Sequence, residues 1–111
     1  MKRLAILGAS GHGKVVADAA EACGWQSVVF FDDAWPDLQA NGPWGVRGDT
    51  ETLLERLIEF DGVVVGIGNN SLRADKQALL LSAGARIVSI VHPAAVVSAH
   101  ACIHPGAVVL A

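Results

Sequence analysis

The sequence predicts an α/β protein: a doubly wound parallel sheet of about four strands with helices on both faces, running directly into a hexapeptide coil. Three observations predict it. Short β-branched runs alternate with stretches of helical period. Three of those runs end in glycine, acidic or amide residues. From Val91 onward the aliphatic residues recur every six positions.

The elements follow in order. Residues 3–7 (Arg-Leu-Ala-Ile-Leu) read as the first strand and Gly8 to Gly13 as a glycine-rich turn. Lys14 to Cys23 reads as a helix with Val15, Val16, Ala19, Ala20 and Cys23 on its apolar face and Gly24 as its stop. Residues 27–31 (Ser-Val-Val-Phe-Phe) are the second strand, ending at Asp32-Asp33. Residues 34–48, with Pro36, Gly42, Pro43, Gly45 and Gly48, read as a loop. Asp49 caps a helix from Thr50 to about Glu59, with Leu53, Leu54, Leu57 and Ile58 as its buried stripe. Residues 62–67 are the third strand, apolar throughout and therefore central. Asn69 or Asn70 caps a third helix that stops at Gly84, and residues 86–91 are the fourth strand. Right-handed crossovers give the strand order 2-1-3-4.

The last stretch has another period. Val91, Val97, Ile103 and Val109 recur every six residues, and so do Ala95, Ala101 and Ala107. A helix has period 3.6 and a strand period 2, so neither fits. A triangular coil of hexads does, with the aliphatic residue pointing inward and the small residue at a corner, and two proline-broken strands that join the sheet are the alternative. Three hexads close one coil, and His92-Pro93 and His104-Pro105 fit its corners. The expected division is residues 1–90 as the α/β domain and 91–111 as the start of the coil. Uncovered by neighbouring coils, this end should expose apolar surface.

Composition narrows the function. The chain has 111 residues, 52% apolar and 17% charged, with mean hydropathy +0.44, which excludes a disordered protein. No apolar run reaches the roughly 18 residues of a spanning helix, so no membrane insertion is expected. Met1 to Leu7 reads as a strand rather than a signal peptide, and a cytoplasmic location is expected. The net charge of −3, without a basic stripe, argues against nucleic acid. Cys23 and Cys102 read as reduced thiols, and no histidine pair has metal-ligand spacing, so no metal is expected. The sequence also lacks a G-x-S-x-G nucleophile elbow.

The strand ends carry the chemistry, because ligands of open parallel sheets bind there. Gly8-Ala9-Ser10-Gly11-His12-Gly13 follows a strand and opens a helix. Gly8 and Gly13 hold the first and third positions of the dinucleotide fingerprint, while Ser10 takes the second and Gly11 follows it. Free N–H groups at the helix start suit a diphosphate, with Lys14 as a local cation. A tight strand-to-helix turn without a ligand would use the same glycines. Asp32, 19 positions beyond Gly13, is placed to accept from a ribose or base, and its neighbour Asp33 either does this or begins the loop. Gly66-Ile67-Gly68-Asn69-Asn70 offers bare backbone and two amides, one of which serves as a helix cap. His12 either donates to the ligand or sits exposed in the turn. Arg73, one turn into the third helix, either reaches a phosphate or is a solvated surface residue. Trp35 and Trp44 either stack on a base or pack on the second helix; Trp25 has no assigned role.

These residues together carry a resemblance. A chain opening Leu4-Ala5-Ile6-Leu7-Gly8-Ala9-Ser10-Gly11-His12-Gly13-Lys14-Val15-Val16-Ala17-Asp18, with Asp32-Asp33, Gly66-Ile67-Gly68-Asn69-Asn70 and then His92-Pro93 leading into hexads, resembles the sialic-acid O-acetyltransferase and bacillosamine-type nucleotide-sugar N-acetyltransferase family. The resemblance implies a small Rossmann-like domain that holds a UDP- or GDP-linked amino sugar, joined to a left-handed β-helix that binds acetyl-CoA. It implies cytoplasmic homotrimers that act in surface glycan or glycoprotein biosynthesis. It places Ser10 to Lys14 at the diphosphate and sugar, Asp32 and Asp33 at the nucleoside, and Gly68 with Asn69 or Asn70 beside them. The family's catalytic histidine belongs to a later coil, so His92, His100 and His104 inherit no catalytic role and acetyl transfer by these residues alone is not expected. A stand-alone NAD- or nucleotide-binding regulatory module is the competing expectation.

Overall fold

In chain order the elements are β1 (Arg3–Leu7), α1 (Gly11–Ala22), β2 (Ser27–Phe31), β3 (Ala40–Asn41), β4 (Trp44–Gly45), α2 (Thr50–Glu55), β5 (Gly62–Val65), α3 (Asn70–Ser82), β6 (Ile90–Val91) and β7 (Val108–Val109). The computed structural model describes residues 2–95, 97–98 and 103–110. β1 lies between β2 and β5 in an all-parallel sheet ordered β2-β1-β5.

Strand alternation divides the core between the two faces. Leu4, Ile6, Val28, Phe30 and Val64 face α1, where Val16, Ala17, Ala19 and Ala20 meet them. Ala5, Leu7, Val29, Phe31, Val63 and Val65 face Leu53 of α2 and Leu80 of α3. Neighbours Phe30 and Phe31 are fully buried on opposite sides, each edge-on to another aromatic: Trp44 at 6.1 Å and Phe60 at 5.7 Å between centroids. Burial of each ring is worth about 2–3 kcal/mol relative to exposure. Trp44 therefore packs on the α1 face, not on α2. Trp25 lies against Gly62 at the start of β5, with the Lys2 ammonium 4.4 Å over its ring.

The expected fourth strand is reduced to one bridge between Val63 and Ile87. Beyond it, Gly106 donates to the Val88 carbonyl and Ile90 to the Ala107 carbonyl, so the coil supplies the partners that the sheet would have offered. The predicted loop 34–48 holds the β3–β4 hairpin, and its end runs along β2. Val46 bridges Phe30, Arg47 donates to the Phe30 carbonyl at 2.8 Å, and Asp32 donates its N–H to the Gly48 carbonyl at 2.9 Å. This satisfies what would otherwise be a bare sheet edge.

Two helices depart from expectation. α1 begins at Gly11 rather than Lys14, with Ser10 at the N-cap position. Gly13 is the reason: it is buried against the Gly8 carbonyl and the Phe30 ring, and this packing draws the glycines into the first turn. Val15 is 47% exposed, and Val16, Ala17, Ala19 and Ala20 make the contact instead. The predicted second helix stops at Glu55 and continues as a 3₁₀ turn over Leu57–Glu59. The tighter winding rotates Ile58 to 97% exposure and out of the expected stripe. Leu53 is fully buried, and Leu54 and Leu57 pack partly against the core.

The hexads leave a clear register. Parallel β6 and β7 set Ile90 beside Val108 and Val91 beside Val109, an offset of 18 positions, which is three hexads. Both His-Pro pairs turn the chain: Ala95 donates to the His92 carbonyl at 2.9 Å and Ala107 to the His104 carbonyl at 3.1 Å. The Cys23 thiol, just past α1, donates to the Val91 carbonyl at 2.9 Å and ties this stretch to the domain. Val97 and Ile103, expected to point inward, are 39% and 37% exposed. The expectations for His100, Ala101 and Cys102 lie outside the described residues.

Candidate functional site

The register of the sheet builds the site. Leu7 pairs with both Phe31 and Val65, so all three strands end at one level. The next residues, Gly8, Asp32 and Gly66, therefore emerge side by side. The backbone stitches them together: Gly8 donates to the Phe31 carbonyl and Gly66 to the Leu7 carbonyl, each at 2.8 Å.

Gly8 has φ +114°, and a Cβ there would lie 2.6 Å from Ile67 Cγ1, so only glycine fits. A Cβ on Gly13 would run into the Gly8 carbonyl, which matches the close-packing position of the fingerprint. Gly11 differs. A Cβ there would meet nothing within 4 Å, so its surface faces open space at the helix start. Asp32 fixes the loop from the neighbouring strand: Oδ2 accepts the Ala9 N–H at 2.7 Å and Oδ1 the Ala34 N–H at 2.9 Å. From the other side, the buried amide of Asn41 donates to the Ser10 carbonyl at 3.0 Å. Asp32 thus holds the glycine loop with one oxygen and its own turn after β2 with the other.

Asp33 has a different setting. Its Oδ1 accepts the Thr50 N–H and its Oδ2 accepts Lys76 Nζ, both at 2.9 Å. Lys76 also donates to Thr50 Oγ1 at 3.1 Å. Burial acts to raise the Asp33 pKa, but hydrogen bonds from Thr50 and the bond and charge of Lys76 outweigh it and hold the carboxyl at about 2. The group is an anion at neutral pH. The Asp33 side chain is still 59% exposed, whereas Lys76 is 20% exposed.

After β5, Asn69 caps α3 by accepting the Leu72 N–H at 2.9 Å. Asn70 Oδ1 accepts Arg73 Nη2 at 2.7 Å. Gly68 faces open space, with His12 Cβ 3.9 Å from where its own Cβ would stand. α3 then forms a wall between two cavities. Leu72 and Lys76, one turn apart, face a cavity of about 330 Å³ shared with Gly8, Ser10, Asp32 and Asp33. Arg73 and Gln77 face a second cavity of about 410 Å³ shared with His12 and the turn from His104 to Val108.

The predicted residues therefore divide. Gly8, Ser10, Asp32 and Asp33 converge on the first cavity, and His12 lines the second. Gly13 is buried packing, Asn69 is the cap, and exposed Lys14 lies toward Gly42 of the hairpin. Gly11, Gly68 and Asn70 line neither cavity. Sequence reasoning missed Thr50 and Lys76; of the two settings it offered Arg73, the structure places the residue on the second cavity. The signal for Lys76 was its spacing from Leu72, and for Arg73 its spacing from Gln77, two rows of a helix that starts at a strand end. Trp35 is 38% exposed and lines neither cavity. Among the described residues no cluster of His, Cys, Asp or Glu could hold a metal, and no helix is long and apolar enough to cross a membrane.

A three-stranded parallel α/β domain with a glycine-loop crevice at its flush strand ends has a Rossmann-like fold. The chain belongs to the PglD N-terminal domain family, whose profile matches residues 3–78. It is 31% identical over 113 residues to a UDP-N-acetylbacillosamine N-acetyltransferase from Bacillus subtilis (strain 168), with all of this chain and 52% of that protein covered. Among solved structures it resembles PerB from Caulobacter crescentus in complex with CoA and GDP-perosamine, at 32% identity and TM-score 0.85, covering 100% of this chain and 52% of that one. It also resembles the acetyltransferase domain of PglB from Neisseria gonorrhoeae FA1090 in complex with acetyl coenzyme A, at 36% identity and TM-score 0.89, covering 99% and 53%. The chain spans about half the length of these relatives.

Proposed function

We propose that this chain is the nucleotide-sugar-binding part of an acetyltransferase that moves acetyl from acetyl-CoA to an amino or hydroxyl group of a UDP- or GDP-linked sugar. One observation carries the reading: Gly8, Asp32 and Gly66 emerge at one level, and Gly8, Asp32 and Ile67 line a polar-edged cavity beside the N-terminus of α1. In this reading the nucleoside lies in the 330 Å³ cavity against Asp33 and Asp32. The diphosphate lies over Ser10 to Lys14, where free N–H groups and the helix dipole favour an anion. The sugar extends past His12 toward the second cavity, where Arg73 adds a cation. Gly11 and Gly68, which present no side chain, leave room for close approach.

Residues 1–90 serve as the substrate domain and 91–111 as the start of a left-handed β-helix whose stacked coils hold acetyl-CoA in a cytoplasmic homotrimer. The relatives support this, since they are acetyltransferases and their complexes hold CoA, acetyl coenzyme A and GDP-perosamine. No residue of this chain is assigned a catalytic role. Thermal unfolding with UDP-sugars, GDP-sugars and NAD tests the reading. A raised midpoint with a nucleotide sugar is expected, and a response to NAD alone would overturn it. Incubation of the chain with acetyl-CoA and a UDP-amino sugar is expected to give no turnover; acetyl transfer would contradict the assignment.

A further inference from the structure

The polar corner of the first cavity has a definite hydrogen-bonding pattern. An ammonium has three N–H donors, and Lys76 commits two, to Asp33 Oδ2 and Thr50 Oγ1, leaving one. Each carboxylate oxygen accepts about two hydrogen bonds. Asp33 accepts the Thr50 N–H at Oδ1, Lys76 at Oδ2 and a further hydrogen bond from the Thr50 side chain, so about one of its four acceptor positions remains. The corner thus offers one acceptor beside one donor, with Asp33 Oδ2 and Lys76 Nζ 2.9 Å apart. Leu72, 46% exposed, and Ile67 line the same cavity and give a flat ring apolar contact.

We propose that Asp33, Thr50 and Lys76 read the lactam edge of an oxo nucleobase, with Asp33 accepting the ring N–H and Lys76 donating to the adjacent carbonyl. The proposal rests on the nucleotide reading above and names its base class. Uracil and guanine both present this edge, a ring N–H beside a carbonyl. Cytosine and adenine present the reverse, a ring nitrogen lone pair beside an amino group. A lone pair set against the Asp33 anion repels it. To pair again, the ring must slide along the corner and away from a diphosphate held at the glycine loop. Because Asp33 is ionised at neutral pH, it acts purely as an acceptor. Thr50 and Lys76 are positioning and reading groups, and they take no part in acetyl chemistry. The edge also accounts for one scaffold serving relatives named for a UDP-sugar and a GDP-sugar.

Calorimetric titration with two size-matched pairs, UDP against CDP and IDP against ADP, tests this. The oxo member is expected to bind at least about tenfold more tightly in one or both pairs, since a site built for a polar edge rejects the analogue that lacks it. In Lys76→Met the preference should fall to within about threefold, and Lys76→Arg should retain part of it, both with unfolding midpoints measured. Equal binding of oxo and amino bases by the unmodified chain would overturn the base-edge assignment and leave the nucleotide reading standing. A preference that survives in Lys76→Met would remove Lys76 from it. No binding of any nucleoside diphosphate would overturn both. The unmodified chain decides between oxo and amino bases even if a variant fails to fold.

Discussion

Asp32 Oδ2 accepts the Ala9 N–H at 2.7 Å, so the end of one strand holds the glycine loop that follows another. The same carboxylate accepts the Ala34 N–H, and the loop is the only route from β1 to α1. A position that reads as a ligand contact in the sequence is also a fastener.

Asp32→Ala should therefore lower stability as well as affinity. It leaves two backbone N–H groups without a charged acceptor, which costs about 2 kcal/mol. Urea unfolding checks this, and Asp32→Asn should recover about half, since an amide offers one acceptor oxygen.

The two loop glycines should respond in opposite ways. Gly13→Ala forces a methyl into the Gly8 carbonyl and should cost about 1–3 kcal/mol. Gly11→Ala meets open space within the first turn of α1 and should be neutral or stabilise by about 0.5 kcal/mol. In the proposed site it narrows the diphosphate approach, so nucleotide affinity should fall while the unfolding midpoint does not. Paired thermal and binding measurements separate the two effects.

Asp33 should make stability depend on acid. Its carboxyl is lowered from the ordinary 3.8 to about 2 in the folded chain. The unfolded chain therefore binds the proton more readily. The contribution is present above about pH 4 and is lost as pH falls through about 2. Solvent screening of the exposed side chain limits it to about 1 kcal/mol or less. The stability gap between the unmodified chain and Asp33→Asn should shrink between pH 4 and 2, as read by denaturant unfolding at each pH.

The contact between β6 and α1 should be a stabilising one. Ile90 is 1% exposed and packs with the α1 face, so Ile90→Ala should cost about 2–4 kcal/mol. Ile58→Lys, at a site 97% exposed, should stay within about 0.5 kcal/mol of the parent. A comparable loss in both variants would contradict the packing described for the 3₁₀ turn.

Strands β1, β2 and β5 were legible because an apolar run buried on both faces has no other short explanation. The six-residue spacing of Val91, Val97, Ile103 and Val109 anticipated one thing the structure carries, the parallel pairing of Val91 with Val109 at an offset of 18 positions. Residues governed by distant contacts were harder to read. Gly11 and Gly13 look like loop residues until Phe30 and the Gly8 carbonyl are seen above Gly13. Ile87 looks like the start of a full strand until the coil claims Val88 and Ile90 as hydrogen-bond partners. Lys76 is an ordinary helix lysine in the sequence, and its partner Asp33 is 43 positions away. In the site, the glycine loop and acidic pair were visible from local pattern, whereas Thr50, Lys76 and the grouping of His12 with Arg73 and His104 depend on how α3 crosses the strand ends.

The central claim is that a nucleotide-linked sugar binds at the flush ends of β1, β2 and β5. Titration of the isotope-labelled chain with a UDP- or GDP-linked amino sugar, followed through backbone amide NMR signals, tests it most directly. The predicted shifts concentrate at Gly8 to Gly13, Asp32, Asp33, Ile67 and Lys76, with a second group at His12 and Arg73. Shifts centred instead on Trp25 and Ile87 to Val91, at the far side of the domain, or no shifts at saturating ligand, would contradict it.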